Sequence, residues 1–390
     1  MVTVVTKTSW GGRIAGSFKG ILVGLFLFGV AFPVLWTNEK RSVLNIRTIA
    51  EVAKSAVAVP GDTVEAAREG HLIHVSGEAQ TPDQLEDPDF ALKVNAIHLQ
   101  RQVEMYQWVE NTKSETRKKL GGGEETVTTY TYEKSWRRGR QDSDGFKDRV
   151  GHENPEPAYP ERSVSAENVR VRAYRLSPGL IGQYHAPRDV AAKTEALPGD
   201  LAAKAKPLPN GGLYLGAAPE SPQIGDLRIR FQEHPAGPAS VIARQQGDAL
   251  TEYLAKSGKT VEWLYNGQLG IPEMCDRKRS ENSFWTWLLR GGGFLLMWIG
   301  LGLVLRPLRV LADVVPLIGS VVGAGLGLVS GLVAFLCAAT TIAVAWIAVR
   351  PLTAVPAVVA VVAVIFVLRR QRAQTAAAAT GYPPPPPPPG

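Results

Sequence analysis

Apolar runs sit at both ends of the chain and a polar, alternating stretch fills the middle. The first run, 20–36, holds seventeen residues without a charge, preceded by Lys7, Arg13 and Lys19 and with no acid before Glu39. As a helix it rises about 25 Å, close to the thickness of a hydrocarbon core. A cleavable signal peptide would need small residues before a cut. This run instead exits through Pro33-Val34-Leu35-Trp36, and Trp36 suits a membrane–water boundary, so it reads as an uncleaved anchor. The second run, 284–305, opens with Trp285 and Trp287 and closes at Arg306 and Arg309; Arg290 near its outer end has a side chain long enough to snorkel. Beyond Asp313, residues 314–349 carry no charge. One straight helix of that length would be about 54 Å long, so a break is expected in the glycine-rich part 319–331. That leaves 306–331 as a cytoplasmic-side re-entrant or surface-lying segment and 332–349 as a span. Arg350-Pro351 then separates it from a last run, 352–368.

Between the anchors, 37–283 changes period. Residues 42–58 place Ile46, Ile49, Ala50, Ala53 and Val57 at helical spacing. After Pro60 the pattern is that of strands. Residues 72–75 form a short apolar run. Residues 103–110 alternate, Gly121-Gly122-Gly123 supplies a turn, and 126–132 returns with Thr and Tyr, so a long hairpin is predicted. A second block has strands at 212–215, 227–231, 239–245 and 260–265. Two lobes, 60–184 and 211–283, are expected, with an Ala/Lys/Pro-rich connector over 185–210. Each block passes from a short strand through an acidic turn into a longer one, as a weak duplication would.

Charge sharpens this layout. Residues 37–283 hold 33 basic and 35 acidic side chains, whereas the other 143 residues hold ten basic ones and a single acid, Asp313. The net charge of +7 is therefore a property of the membrane flanks, and no basic face for nucleic acid follows from it. Basic groups before the first run, after the second and after the last (Arg369, Arg370, Arg372) belong on the cytoplasmic side by the positive-inside rule. The fold class is then an α+β membrane protein with four transmembrane helices, one N-terminal and three C-terminal, and a large β-rich extracytoplasmic domain after the first. The segments are 1–19 cytoplasmic, 20–36, 284–305, 332–349 and 352–368 spanning, and 369–390 a cytoplasmic tail with seven consecutive prolines. That tail is either a polyproline II ligand for a partner or a spacer.

Candidate chemistry is sparse. The sequence has no phosphate loop, nucleophile elbow or paired Cys/His ligand set. His71 and His74, three apart on a strand, point to opposite faces. Asp142-Ser143-Asp144-Gly145 begins like a calcium loop but its glycine comes too early. His152-Glu153 lacks a nucleophile to serve. No catalytic residue, cofactor or metal is assigned. Gly319, Gly323, Gly327 and Gly331 stand four apart, and Gly20 and Gly24 repeat the spacing; such a ridge serves either packing among the chain's own helices or self-association into a homo-oligomer. Tyr106, Trp108, Tyr130, Tyr132 and Trp136 on the hairpin are either a cross-strand ladder or a surface for a protein partner.

Several blocks are similar to the transmembrane protein 43 (LUMA) family. They include Val103-Glu104-Met105-Tyr106-Gln107-Trp108-Val109-Glu110, Gly151-His152 with Asn154-Pro155, and Leu176-Ser177 with Gly179-Leu180-Ile181. Gly225-Asp226-Leu227-Arg228 and Val241-Ile242-Ala243-Arg244-Gln245 with Gly247-Asp248 complete the set. The resemblance covers roughly 18–370 and is thin over 185–224. It implies a four-span, non-enzymatic protein that self-associates. In animal members it implies the endoplasmic reticulum and inner nuclear membrane, with lamin and emerin contacts. The polyproline tail, the Ala/Val/Pro-rich runs and the lack of an Asn-x-Ser/Thr acceptor fit a bacterial cytoplasmic membrane, where those nuclear partners would not transfer. Two function classes stay open: a membrane-organising scaffold, and a channel-like or membrane-perturbing assembly of the C-terminal helices.

Overall fold

The computed structural model of the protein describes residues 1–194 and 197–349. The expected last span 352–368 and the tail 369–390 lie outside them. Two compact units result, one of residues 1–18, 44–284 and 307–323, the other of 19–43, 285–306 and 324 onward.

The first unit is built on two sheets. In one, the strand Val2–Thr8 lies at an edge, followed by Glu124–Arg138, His98–Lys118, Leu227–His234, Leu213–Leu215 and Ala205–Pro207. The predicted hairpin is its longest feature: along His98–Lys118 the odd-numbered residues from Leu99 to Val109 are buried and the even ones from Gln100 to Glu110 half-buried. Its turn needs Gly121 and Gly122, both at positive φ (85° and 79°), where a side chain would be strained. The second sheet runs Trp263–Asn266, Gly237–Gln246, Ala249–Thr251, Tyr174–Leu176, Arg170–Val171, Leu72–Gln80 and Val57–Ala58, and Gly237–Gln246 also pairs directly with Leu72–Gln80.

These pairings differ from the expected division into lobes 60–184 and 211–283. Leu227–His234 joins His98–Lys118 over eight register pairs, and Gly237–Gln246 joins Leu72–Gln80 over another eight, so each sheet draws strands from both segments. The suspected duplication does not appear either. Leu72–Gln80 and the hairpin fall in different sheets, whereas Leu213–Leu215 and Leu227–His234 share one. Alternation along a strand fixes which face it buries but not its partner, which is chosen by the packing of the whole apolar set. Here one core gathers Ile73, Val75, Ile97, Tyr174, Val241 and Leu250, and a second gathers Phe90, Val103, Met105, Leu213, Ile229 and Phe231. The connector 185–210 supplies short strands Arg188–Val190 and Ala205–Pro207 to the first sheet. A third cluster seats Ile49 and Val52 of the helix Trp10–Ser55 with Ile242, Trp263, Met274 and Cys275.

Among the described residues, three helices are long and apolar enough to cross a membrane: Trp10–Ser55, Ile271–Val304 and Leu317–Val349. In the second unit they meet around Ala31, Leu35, Met297, Ala334 and Ala338. The glycine-rich stretch is not where the chain breaks. A short helix, Arg306–Ala312, ends before Asp313, and Pro316–Val349 then runs unbroken for 34 residues, about 51 Å. Proline at 316 lacks an N–H and disfavours helix in the residue before it. Glycine inside a helix costs only about 1 kcal/mol, so the proline decides the break. Arg290 does not snorkel freely; its Nε and Nη2 fork onto both carboxylate oxygens of the buried Glu39 at 2.7 and 2.8 Å.

Candidate functional site

Strand pairing collects the aromatic candidates on one face of the hairpin. Tyr106 is opposite Trp136, Trp108 opposite Lys134, Glu110 opposite Tyr132 and Thr112 opposite Tyr130, all even-numbered positions of the two strands. All five aromatic side chains are half-buried. The rings of Tyr106 and Trp136 are 5.2 Å apart, and the Arg228 guanidinium lies 4.0 Å above the Trp136 ring. Next to Trp136 is Tyr214, whose hydroxyl donates to Asp226 at 2.5 Å; burial first and that carboxylate second push its pKa up. Further along, Lys134 Nζ sits 4.9 Å from the Trp108 ring. Tyr130 makes register pairs with Thr112 and with Val2 of the edge strand.

Residues 139–155 fold back over this face, held by two amides and a carboxylate. Gln107 is fully buried, donates to the Gly139 carbonyl at 2.8 Å and accepts the Gln141 N–H at 2.6 Å. Asn154 acts as a one-residue strand beside Trp108: it accepts the Trp108 N–H at 2.8 Å and donates to the Trp108 carbonyl at 2.9 Å. Glu110 accepts from the Tyr132 hydroxyl and from the Lys147 N–H, each at 2.6 Å. His152 is thereby stacked on Tyr132 at 4.0 Å and edge-on to Trp108 at 4.6 Å, with Nδ1 on the Asp148 carbonyl at 2.9 Å. Gln107, Glu110 and Asn154 were not singled out as site residues from sequence. Their signal was present, since all three fall in the blocks that carry the family resemblance.

His152 is committed to a carbonyl and two rings. In a cleft of about 980 Å³, Asp89 is paired to Arg101 at 2.8 Å and Lys206 holds the Ala217 carbonyl. Among the described residues, no group of three His, Cys, Asp or Glu side chains could hold a metal ion. His71 Nδ1 meets the Glu69 carbonyl and His74 Nε2 the Leu269 carbonyl, separate sites for two ordinary histidines.

The glycines serve close approach within this chain. A Cβ on Gly24 would come 2.5 Å from the Gly300 carbonyl oxygen, and one on Gly20 would come 3.9 Å from that of Leu303. Gly319 is overlain by Asp313, Gly323 by the Arg309 side chain, and Gly331 by the Trp298 indole. Nothing lies within 4 Å of a Cβ on Gly327, whose carbonyl accepts the Trp298 indole N–H at 3.0 Å.

Long apolar helices together with a large sheet-rich region define a membrane protein of α+β architecture. The sequence profile described as Transmembrane protein 43 matches residues 105–351, and the chain belongs to that family. It is 33% identical over 356 residues to Transmembrane protein 43 of Mus musculus, covering 88% of this chain and 87% of that one. The Homo sapiens protein is likewise 33% identical, over 357 residues with the same coverage. The Transmembrane protein 43 homolog of Drosophila melanogaster is 30% identical over 340 residues, covering 85% and 89%. No solved structure is significantly similar.

Proposed function

We propose that the protein is a non-enzymatic membrane scaffold: its apolar helices hold it in the bilayer, and the hairpin face of its sheet-rich domain docks a protein partner. The observation that carries this reading is the row of half-buried rings with cations above them, Arg228 over Trp136 and Lys134 over Trp108. Aromatic and Arg side chains concentrate where protein interfaces bind most strongly. The membrane is the bacterial cytoplasmic membrane or, in a eukaryotic host, that of the endoplasmic reticulum and inner nuclear envelope. Self-association adds copies of the face, with Gly327 as the ridge position still open to another backbone. The proline tail is a second docking element, for a polyproline-binding partner.

A photo-crosslinking residue at Lys134, against a control at Lys113, tests the docking face in native membranes. Capture of the same protein at 134 and not at 113 is expected. Equal capture at both sites, or none at 134, overturns the reading. The alternative, a channel-like assembly of the C-terminal helices, draws less support. Thr340 and Thr341 spend their hydroxyls on carbonyls of their own helix at 2.7 Å instead of lining a polar path.

A further inference from the structure

Three of the chain's six histidines meet in one place inside the sheet-rich unit. The His234 ring is edge-on to that of its register partner His98 at 5.2 Å and to that of the exposed His185 at 4.9 Å. Both nitrogens of His98 are committed. Nε2 donates to the Ile181 carbonyl at 2.9 Å, which leaves Nδ1 to accept from the Ser165 hydroxyl at 2.8 Å. His234, only 2% exposed, is committed on one side. Its Nδ1 accepts the Ala186 N–H at 3.4 Å, so the neutral ring carries its proton on Nε2, which has no hydrogen-bond partner among the described residues.

The segment that supplies this N–H ties the two sheets together by alternate residues. Gln183 donates to the Glu262 carbonyl at 2.9 Å and accepts the Leu264 N–H at 3.1 Å, and the His185 N–H donates to the Asn266 side chain at 2.9 Å, all along the edge of the second sheet. Toward the first sheet, the Tyr184 hydroxyl donates to the Pro235 carbonyl at 2.8 Å, beside His234, and Ala186 reaches the His234 ring. Proton uptake by His234 turns its Nδ1 from an acceptor into a donor aimed at another donor. The bond to Ala186 is then lost, and a buried charge is left beside two other imidazoles. Burial first, then His98, hold the His234 pKa below the usual histidine value, and the Tyr184 carbonyl offsets them only in part. The other charges about the cluster are Glu233, itself paired with Arg188, and Glu78, which bears on Tyr184; neither pairs with a ring of the cluster. We propose that 182–187 is a proton-released strap, which holds the two sheets together at neutral pH and lets go of the first sheet when His234 becomes charged. Its grip on the second sheet uses only amides and carbonyls, so that end stays in place.

Hydrogen exchange of the full chain in detergent between pH 7.5 and 5.0 tests this, read as protection factors so that the intrinsic pH dependence of exchange drops out. With a released-state histidine value of about 6.5, one proton lowers protection by at most about 30-fold at pH 5.0. A fall of roughly 5- to 30-fold at the Ala186 amide is expected, with protection there staying below that of Leu72–Gln80 at every pH. Unchanged protection at Ala186 overturns the proposal. So do equal protection factors at Ala186 and along Leu72–Gln80 at pH 5.0, since the amide would then exchange only when the whole domain unfolds. This comparison needs no variant to fold. His234→Asn keeps an acceptor in the place of Nδ1 and cannot be charged, so its fall should shrink to less than about threefold. A fall as large as in the natural chain would remove His234 from the role.

Discussion

Replacing Asn154 by alanine isolates the device that lays 139–155 over the aromatic face. Its side chain makes three hydrogen bonds: it accepts the Trp108 N–H at 2.8 Å and donates to the Trp108 carbonyl at 2.9 Å and the Gln141 carbonyl at 3.2 Å. Asn154 is only 4% exposed, so truncation leaves a backbone N–H and carbonyl of Trp108 without replacement partners. An intramolecular hydrogen bond contributes roughly 0.5–1.5 kcal/mol net, and a stranded buried group costs about 1–3 kcal/mol. The total is about 2–4 kcal/mol, and it is local because the two main cores contain neither residue. Hydrogen exchange reads it directly: protection of the Trp108 amide should fall roughly 30- to 700-fold, at about 1.4 kcal/mol per factor of ten. Trypsin should cut faster at Arg140, Lys147 and Arg149. Protection along Leu72–Gln80, in the other sheet, should stay as it was. Unchanged exchange at Trp108 would refute the pinning role, and an equal fall along Leu72–Gln80 would show that Asn154 supports the whole domain instead.

Two further expectations follow from close contacts. His98 and His234 are register partners with rings 5.2 Å apart, and burial lowers the pKa of both. The unfolded chain therefore binds more protons below its unfolded histidine value of about 6.5, and stability is lost as pH falls from there through the lowered folded values. His234→Phe should flatten denaturant-unfolding stability between pH 7 and 5 by up to about 1.4 kcal/mol per pH unit, and parallel curves for the two proteins would count against it. At the crossing of the first two long helices, Gly24→Leu forces a side chain against the Gly300 carbonyl and should cost about 1–3 kcal/mol, read as a lower melting temperature in detergent. Gly327→Leu meets nothing within 4 Å and should leave the melting point alone while reducing the light-scattering mass if that face joins copies. The reverse pattern would exchange the roles of the two glycines.

The apolar runs and the long hairpin were legible in the sequence, because each rests on local periodicity or residue type. Period-two alternation set the buried odd and half-buried even positions of 99–110. Seventeen uncharged residues at 20–36, and twenty-two at 284–305 with Arg290 as their one charge, marked helices whatever surrounds them. What alternation could not supply was the choice of partner: Leu227–His234 sits beside His98–Lys118, and Gly237–Gln246 beside Leu72–Gln80, because burying all the apolar faces together favours those registers. The same holds for Asp313. In the sequence it was a lone acid between apolar segments. Only the fold brings Arg13 and Lys118, 300 and 195 positions away, within hydrogen-bond reach. Local propensity is written residue by residue, whereas an ion cluster closing three distant segments is selected by the free energy of the whole assembled unit.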